Sequence, residues 1–277
     1  MKLKISFFIL SILCFSLAKS QDLPKEQLSQ FSYDRKIIYE NDTIKITITN
    51  PLLCPLRVYI FSKYLKEQNV IKDSISLTIK EKSNIEYKIF AKAIDVEKIR
   101  FSIDLAFGDE NKKLKKSKLA LPFLKSKQYL IMQEQNGDFS HNDDYSRYAV
   151  DFKMPVGEII CAADKGFVVG VVKDYQFGGN DRKWTPYANF ITIYHPQSGL
   201  FTQYVHLKQE GSFVKVGDMV KRNQPIGLSG ETGYVSGAHL HFNVLVPEKN
   251  KTLISTPFSF ENNVDAKNLK QNMKVKK

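Results

Sequence analysis

Apolar and polar positions alternate with a period of two through residues 35–107. The segment 44–49 reads Ile-Lys-Ile-Thr-Ile-Thr, and the segments 75–80 and 99–105 repeat the alternation. Successive side chains of a strand point to opposite faces, so each segment predicts a β-strand with one apolar face. Short polar segments separate these strands, an arrangement typical of a β-sandwich. Because this region contains no histidine and no catalytic motif, we interpret residues 21–125 as an accessory β-sandwich-like domain.

The chain from residue 129 to 247 is also rich in β-type segments, with glycines at the turns between them. No segment there shows a sustained period of 3.6, so the pattern predicts very little helix. The sequence therefore predicts a mainly β chain with a second domain at residues 126–262. The lysine-rich residues 263–277 are expected to form a basic, disordered tail.

The first 20 residues have the features of an export signal. Two lysines precede an apolar run of 14 residues, and Ala18-Lys19-Ser20 supplies the small residues of a cleavage site before Gln21. We expect residues 1–20 to be a signal peptide and the mature protein to reach the periplasm, the cell envelope or the medium. No later stretch approaches the length of a transmembrane helix, so we expect no transmembrane segment in the mature chain.

The net charge of +12 falls to +12 − 3 = +9 when Lys2, Lys4 and Lys19 are removed with the signal peptide. A basic exported protein favours anionic surfaces such as cell-wall polymers. The chain has no nucleic-acid-binding motif and no basic stripe with interleaved aromatic residues, which argues against nucleic acid as a partner. Cys54 and Cys161 lie in different predicted domains, and we expect two buried thiols rather than a disulfide.

All five histidines of the chain fall between residues 141 and 241. His239 and His241 are separated by one residue in an apolar segment that predicts a strand, so both imidazoles point to the same face. Two adjacent imidazoles on one face of a sheet are a poor core element and a good beginning for a metal site.

Asp151 is the carboxylate that best completes such a site. It lies between Val150 and Phe152, and a carboxylate in an apolar segment must be paired or bind a metal. Asp143 and Asp144 are alternatives, but they belong to a polar loop next to His141. Histidine and aspartate are zinc ligands, and three protein ligands leave a fourth position for water, as in catalytic zinc sites. His206, on an alternating strand, would remain beside such a site as a further imidazole.

Nine segments, in order from residue 135 to 242, resemble the lysostaphin-type zinc metalloendopeptidases of bacterial cell walls. They are QNG at 135–137 with SH at 140–141, YAVDF at 148–152, MPVG at 154–157, AADKG at 162–166, YVHL at 204–207, VGDMV at 216–220, QPIGLSG at 224–230, TG at 232–233 and HLHF at 239–242.

The resemblance implies a role for each candidate residue. His141, Asp151 and His241 would bind one Zn²⁺ per chain, and His206 and His239 would activate water and stabilise the oxyanion. Either of these two is a candidate for the general base. The implied fold is a small antiparallel β-domain of the duplicated hybrid motif type, with the site in a groove on its main sheet. Nine residues separate His141 from Asp151, more than in lysostaphin, and we expect the inserted loop to lie at the mouth of the groove.

The implied function is hydrolysis of peptide bonds in peptidoglycan stems or cross-links. One alternative is a non-catalytic cell-wall-binding regulator that activates another hydrolase, as expected of relatives that have lost ligands. The other is a zinc D,D-carboxypeptidase, whose final motif pairs tryptophan with histidine. The only tryptophan, Trp184, has no histidine near it, which favours the endopeptidase.

Overall fold

The structure, a computed structural model, describes residues 22–249 and 252–277. The predicted signal peptide lies outside these residues. The described residues are mainly β, with one short α-helix and three 3₁₀ turns, which confirms the predicted fold class. Among the described residues, no helix has the length and apolar character needed to cross a membrane.

The N-terminal part consists of two three-stranded antiparallel sheets, in the orders β1-β2-β5 and β4-β3-β6. The alternating isoleucines of β2 meet Val58 and Ile60 of β3 in one shared core, as period-two patterning requires. Its elements are β1 (Arg35–Glu40), β2 (Thr43–Asn50), β3 (Leu56–Phe61), α1 (Lys63–Glu67), β4 (Ile75–Ile79), β5 (Ser83–Phe90), a 3₁₀ turn (Val96–Lys98) and β6 (Ser102–Phe107).

The C-terminal part is built on a nine-stranded sheet and a three-stranded sheet. Its strands are β7 (Lys118–Leu119), β8 (Gln128–Gln133), β9 (Val150–Lys153), β10 (Ile159–Cys161), β11 (Gly166–Val172), β12 (Gly178–Gly179), β13 (Phe190–His195), β14 (Leu200–Val205), β15 (Leu207–Ser212), β16 (Met219–Val220), β17 (Pro225–Ser229), β18 (Gly233–Tyr234), β19 (Leu240–Pro247), β20 (Leu253–Ser255), β21 (Ser259–Phe260) and β22 (Lys274–Lys276). Two 3₁₀ turns (Arg182–Tyr187 and Ala266–Asn268) accompany them. The large sheet has the order β16-β11-β13-β14-β19-β9-β8-β22, with β20 paired to β19, and the smaller sheet has the order β10-β17-β15.

Residues 118–124 belong to the core of this C-terminal part, although the sequence assigned them to the preceding domain. Leu119 and Phe123 are buried in its apolar cluster. Strand β7 pairs with β21, and Phe123 forms a β-bridge with Ile160.

The expectation of a disordered tail from residue 263 is wrong. Strand β22 pairs in register with β8, and Ala266, Leu269 and Val275 are buried in the core. The segment folds because these apolar residues recur among the lysines. The expectation of disorder had been based on the lysine-rich composition of the segment.

The two parts meet at a third apolar cluster that includes Cys54, Phe107 and Phe201. The fully buried Arg57 lies beside it and donates hydrogen bonds to the carbonyl oxygens of Phe107 (3.0 Å) and Glu248 (2.6 Å). Cys54 and Cys161 are buried free thiols, as expected.

Candidate metal centre

Asp151 and His241 lie side by side because β9 and β19 are neighbours in the large sheet. The two residues are direct partners in the antiparallel register. Their apolar flanking residues, Phe152 and Phe242 among them, point into the core on one face of the sheet. The alternation of side chains therefore places Asp151 and His241 together on the opposite face.

His141 reaches the same point from the loop between β8 and β9. Its backbone N–H donates to the carbonyl oxygen of Gly137 (3.0 Å), and its Nδ1–H donates to that of Glu134 (2.7 Å). The second bond fixes the ring so that Nε2 faces the sheet. Nε2 lies 3.1 Å from Asp151 Oδ1 and 3.2 Å from His241 Nδ1, and these last two atoms are 3.0 Å apart.

This triangle of ligand atoms fits a zinc ion. Two ligands bonded at 2.0–2.1 Å to a tetrahedral zinc lie about 3.3 Å apart, close to the three observed distances. The donor set of two imidazoles and one carboxylate also suits zinc. All three side chains are buried, and each offers one ligand atom to a common centre. The site could therefore hold a metal with three protein ligands.

The ionised state of Asp151 organises the electrostatics of the centre. Burial alone would raise its pKa, but His141 and His239 beside it hold the pKa well below the usual range. Burial lowers the pKa of His141, yet the Asp151 carboxylate outweighs this effect and the pKa is raised overall. For His241 burial dominates, and its pKa is lowered. The centre thus presents one buried negative charge among imidazoles.

His206 stands directly after β14, where the chain leaves the large sheet for β15 of the smaller one. Its φ of +67° lies in the left-handed region that non-glycine residues seldom adopt, and such outliers cluster at functional sites. Nδ1 lies 2.7 Å from the carbonyl oxygen of Thr232, which directs Nε2 away from that contact. Burial, with His239 and His241 nearby, holds the pKa of His206 well below its usual range, so the imidazole is neutral.

His239 lies opposite His206, with their ring centroids 4.5 Å apart. Its Nδ1 is 2.8 Å from the carbonyl oxygen of Gly237, and its Nε2 is 3.7 Å from Asp151 Oδ2. The structure therefore brings together all five residues singled out in the sequence. Four of the five histidines belong to this cluster.

The fifth histidine, His195, lies apart from the cluster and is fully hydrogen-bonded. Its Nδ1 donates to the carbonyl oxygen of Lys165 and its Nε2 accepts from the Thr202 hydroxyl, both at 2.8 Å. Burial lowers its pKa. His195 is therefore a satisfied structural histidine.

Sequence reasoning missed Gln133, which holds Asp151 and the His141 loop together. Its amide donates to Asp151 Oδ2 (3.3 Å) and to Ser140 Oγ (2.8 Å), and its carbonyl oxygen accepts from the Ser140 backbone N–H (3.3 Å). A signal was present in the sequence, since Gln133 continues the buried phase of Tyr129 and Ile131 and so places an amide where an apolar residue is expected.

Two cavities flank the centre. One of about 440 Å³ lies on the side of His239, and its lining includes Gln133, Phe139 and Asp151. The other, of about 280 Å³, lies on the side of His206, and its lining includes Tyr145, Gln203 and His241. The aromatic rings of Phe139 and Tyr234, one from each lining, stack at 4.7 Å. The two cavities lie on either side of the His141–Asp151–His241 cluster, and we refer to them together as the cleft.

The family model described as "Peptidase family M23" matches residues 145–254. The match contains Asp151, His206, His239 and His241, whereas His141 precedes it. An uncharacterized metalloprotease of Buchnera aphidicola is 36% identical over 134 residues, covering 47% of this chain and 32% of the relative. The peptidoglycan DD-endopeptidase ShyA of Vibrio cholerae is 36% identical over 96 residues, covering 35% of this chain and 19% of the relative.

The matches thus span at most about a third of the length of these relatives. Among solved structures, the catalytic domain of lysostaphin from Staphylococcus simulans is 29% identical, with a TM-score of 0.34. That alignment covers 47% of this chain and 88% of the lysostaphin domain.

Proposed function

We propose that this chain, whose residues 145–254 match the model of peptidase family M23, is an exported zinc endopeptidase that hydrolyses peptide bonds of peptidoglycan stems or cross-links. One observation carries the proposal. Three ligand atoms, from His141, Asp151 and His241, lie within 3.2 Å of one another. His206 and His239 complete the cluster beside them.

In this proposal His141 Nε2, Asp151 Oδ1 and His241 Nδ1 hold one zinc ion. When bound, zinc lowers the pKa of water and polarises a carbonyl group, so peptide hydrolysis becomes possible near neutral pH. The charge of Asp151 offsets part of the positive charge of the metal. Gln133 and the carbonyl oxygen of Glu134 keep Asp151 and His141 in place, and such outer partners typically matter 10- to 100-fold for metal affinity or activity.

His206 and His239 are the residues that would transfer protons during hydrolysis. Each donates its Nδ1–H to a backbone carbonyl oxygen, of Thr232 and Gly237 respectively, so each Nε2 is free to accept or return a proton. The neutral state of His206 suits a proton acceptor. The Nε2 of His239 lies 3.7 Å from Asp151 Oδ2, beside the ligand triangle, where a proton carried on this nitrogen could be donated in a hydrogen bond to developing negative charge on the substrate oxygen.

The substrate class follows from the relatives and from charge. ShyA is named as a peptidoglycan DD-endopeptidase. The net charge of +12, or +12 − 3 = +9 once residues 1–20 are removed, favours adsorption to anionic wall polymers. Export, which peptidoglycan as substrate demands, is expected from residues 1–20.

The test is zinc content together with hydrolysis of purified peptidoglycan by residues 21–277, with products identified by mass. We expect about one zinc per chain and released muropeptides. His206→Ala and His239→Ala should each retain the zinc and lose turnover. Zinc without cleavage, combined with stimulation of another hydrolase, would instead support the alternative of a non-catalytic regulator.

A further inference from the structure

The cleft is asymmetric about the metal centre. The cavity on the His239 side, about 440 Å³, falls within the size range of ordinary ligand sites, roughly 300–1,000 Å³. The cavity on the His206 side, about 280 Å³, falls just below that range. A hydrogen bond between two lining residues closes the wall between the smaller cavity and a further cavity behind it.

That closure is a crossbar formed by Tyr145 and Gln203. Tyr145 belongs to the loop inserted between His141 and Asp151, and its O–H donates to Gln203 Oε1 at 3.0 Å. Gln203 is buried in the floor of the cleft on β14 and is held there by a bond from its amide to Thr192 Oγ1 (3.3 Å). The loop end is fixed as well, because the side-chain amide of Asn243 donates to the carbonyl oxygen of Tyr145.

The crossbar stands at a defined distance from the metal ligands. His241 is the register partner of Val205, and Gln203 lies two positions before Val205 on the same strand. Two strand residues span about 7 Å. An extended peptide that starts at the metal centre therefore has room for about two residues before it meets the crossbar.

The N-terminal part backs the crossbar from behind. Beyond Tyr145 and Gln203 lies a separate cavity of about 240 Å³, walled by Phe31, Leu105 and Phe107. Gln30 lines this cavity and also the one beside His206.

Gln30 is firmly docked at this junction. Its carbonyl oxygen accepts from Val171 N–H (3.1 Å), and its side-chain amide lies against Gly170, where a Cβ would come within 2.4 Å of Oε1. A side chain at residue 170 would therefore displace the end of the Gln30 side chain. The segment is held again at Leu28, whose N–H donates to the Tyr175 hydroxyl at 2.6 Å.

We propose that the Tyr145–Gln203 crossbar, backed by Gln30, ends the substrate cleft on the His206 side and makes Tyr145 a specificity-determining residue. The inference rests on the proposed function. The substrates are then peptides with no more than about two residues beyond the scissile bond on one side and no such limit on the other. The enzyme would cleave close to a peptide end rather than in the middle of a long strand.

The experiment uses the zinc-loaded chain of residues 21–277. Digestion of purified peptidoglycan, in parallel with digestion of a mixed synthetic peptide library, first identifies a bond that the enzyme cleaves. Synthetic peptides spanning that bond are then lengthened one residue at a time, on one side and then on the other. We expect kcat/KM of the wild type to fall about tenfold or more once the third residue is added in one direction only, a discrimination within the reach of pocket sterics.

Variants of Tyr145 test whether the crossbar, and not another part of the cleft, causes the fall in kcat/KM with peptide length. Tyr145→Ala should bring the ratio of kcat/KM for long and short peptides close to one, and Tyr145→Phe, which keeps the ring and loses the hydroxyl, should lie between. Phe213→Ala, at an exposed aromatic outside the cleft lining, is the control and should keep the wild-type ratio. A wild type indifferent to length in both directions, or a limit unchanged in Tyr145→Ala, would overturn the inference.

Binding gives a readout independent of turnover. Calorimetry of the same peptides with zinc-loaded His206→Ala should show the same length limit in the same direction. If the wild type cleaves no muropeptide but the length limit appears in peptide binding, the proposed function is wrong and the proposed role of the crossbar is supported. If peptides of every length bind equally, or none binds, the crossbar proposal fails even where the wild type cleaves muropeptides.

Discussion

Strands β2 and β19 have the same length and both alternate apolar and polar residues, β2 along most of its length and β19 over residues 240–244, yet they serve different purposes. In β2 every polar position except the terminal Asn50 is partly exposed, so alternation in chemistry coincides with alternation in exposure. In β19 the polar positions His241 and Asn243 are as buried as the apolar ones around them. A polar face that is buried needs partners, and here the partners are a carboxylate, further histidines and the loop of Tyr145. The comparison indicates that a functional site is to be sought where the polar residues of an alternating strand are buried instead of exposed.

The largest effect should come from the buried polar face of β19. His241→Ala removes one of three ligand atoms, so we expect zinc binding near stoichiometry and hydrolysis both to be lost. Metal content and muropeptide release are the measurements. The control is His195→Gln, at the buried histidine outside the cluster, which should keep its zinc. Retained zinc in His241→Ala would contradict the ligand assignment.

The apolar faces of the two strands should behave alike. Phe242→Ala in β19 should lower the free energy of unfolding by about 3–5 kcal/mol, and Ile46→Ala in β2 by about 2–5 kcal/mol, because both side chains are fully buried. Denaturant unfolding measures both. A cost below about 1 kcal/mol at either position would show that its apolar face is not the core described here.

One buried asparagine in each strand, Asn50 in β2 and Asn243 in β19, sharpens the comparison. Asn50, at the end of β2, bonds the backbone of Cys54, Lys80 and Leu52, whereas Asn243 bonds Tyr145 and the Ser255 hydroxyl. Replacing either asparagine by alanine leaves buried hydrogen-bonding groups without a partner, and should lower the free energy of unfolding by about 1–3 kcal/mol. Asn243→Ala alone should also weaken the discrimination between long and short peptides, because it releases the Tyr145 loop. If Asn50→Ala and Asn243→Ala discriminate equally between long and short peptides, Asn243 does not help to hold the crossbar in place.

The smallest effect is expected on the partly exposed face of β2. Thr47→Ala should change the free energy of unfolding by no more than about 0.5 kcal/mol, as surface substitutions usually do. Zinc content and activity should match the wild type. A loss above about 1 kcal/mol would mean that this face is covered by something more than solvent.

Much of this architecture could be predicted from local pattern. Period-two alternation predicted the strands of both parts, and the spacing of His239 and His241 placed them on one face. The apolar neighbours of Asp151 marked it, rather than Asp143, as the candidate ligand, and the structure places it beside His141 and His241. In each case a residue and its immediate neighbours held the necessary information.

The parts that escaped prediction depend on contacts between distant segments. Gln133 acquires its role only when β8 pairs with β9, and Tyr145 only when its loop reaches β14. Gln30 lies against Gly170 across 140 positions of sequence. The C-terminal segment was wrongly predicted to be disordered because its apolar residues, such as Leu269 and Val275, are few among the lysines. Two or three apolar residues are nevertheless enough to fix such a segment on the core when the edge of a strand is available for pairing.

The central claim is that His141, Asp151 and His241 form a zinc site with nitrogen and oxygen ligands alone. Zinc K-edge X-ray absorption of the loaded chain tests it most directly. We predict a first shell of nitrogen and oxygen at about 2.0–2.1 Å with histidine scattering, lost in His241→Ala. A sulfur shell at about 2.3 Å would place the metal on Cys54 or Cys161 instead. That result, or an unchanged spectrum in His241→Ala, would contradict the site.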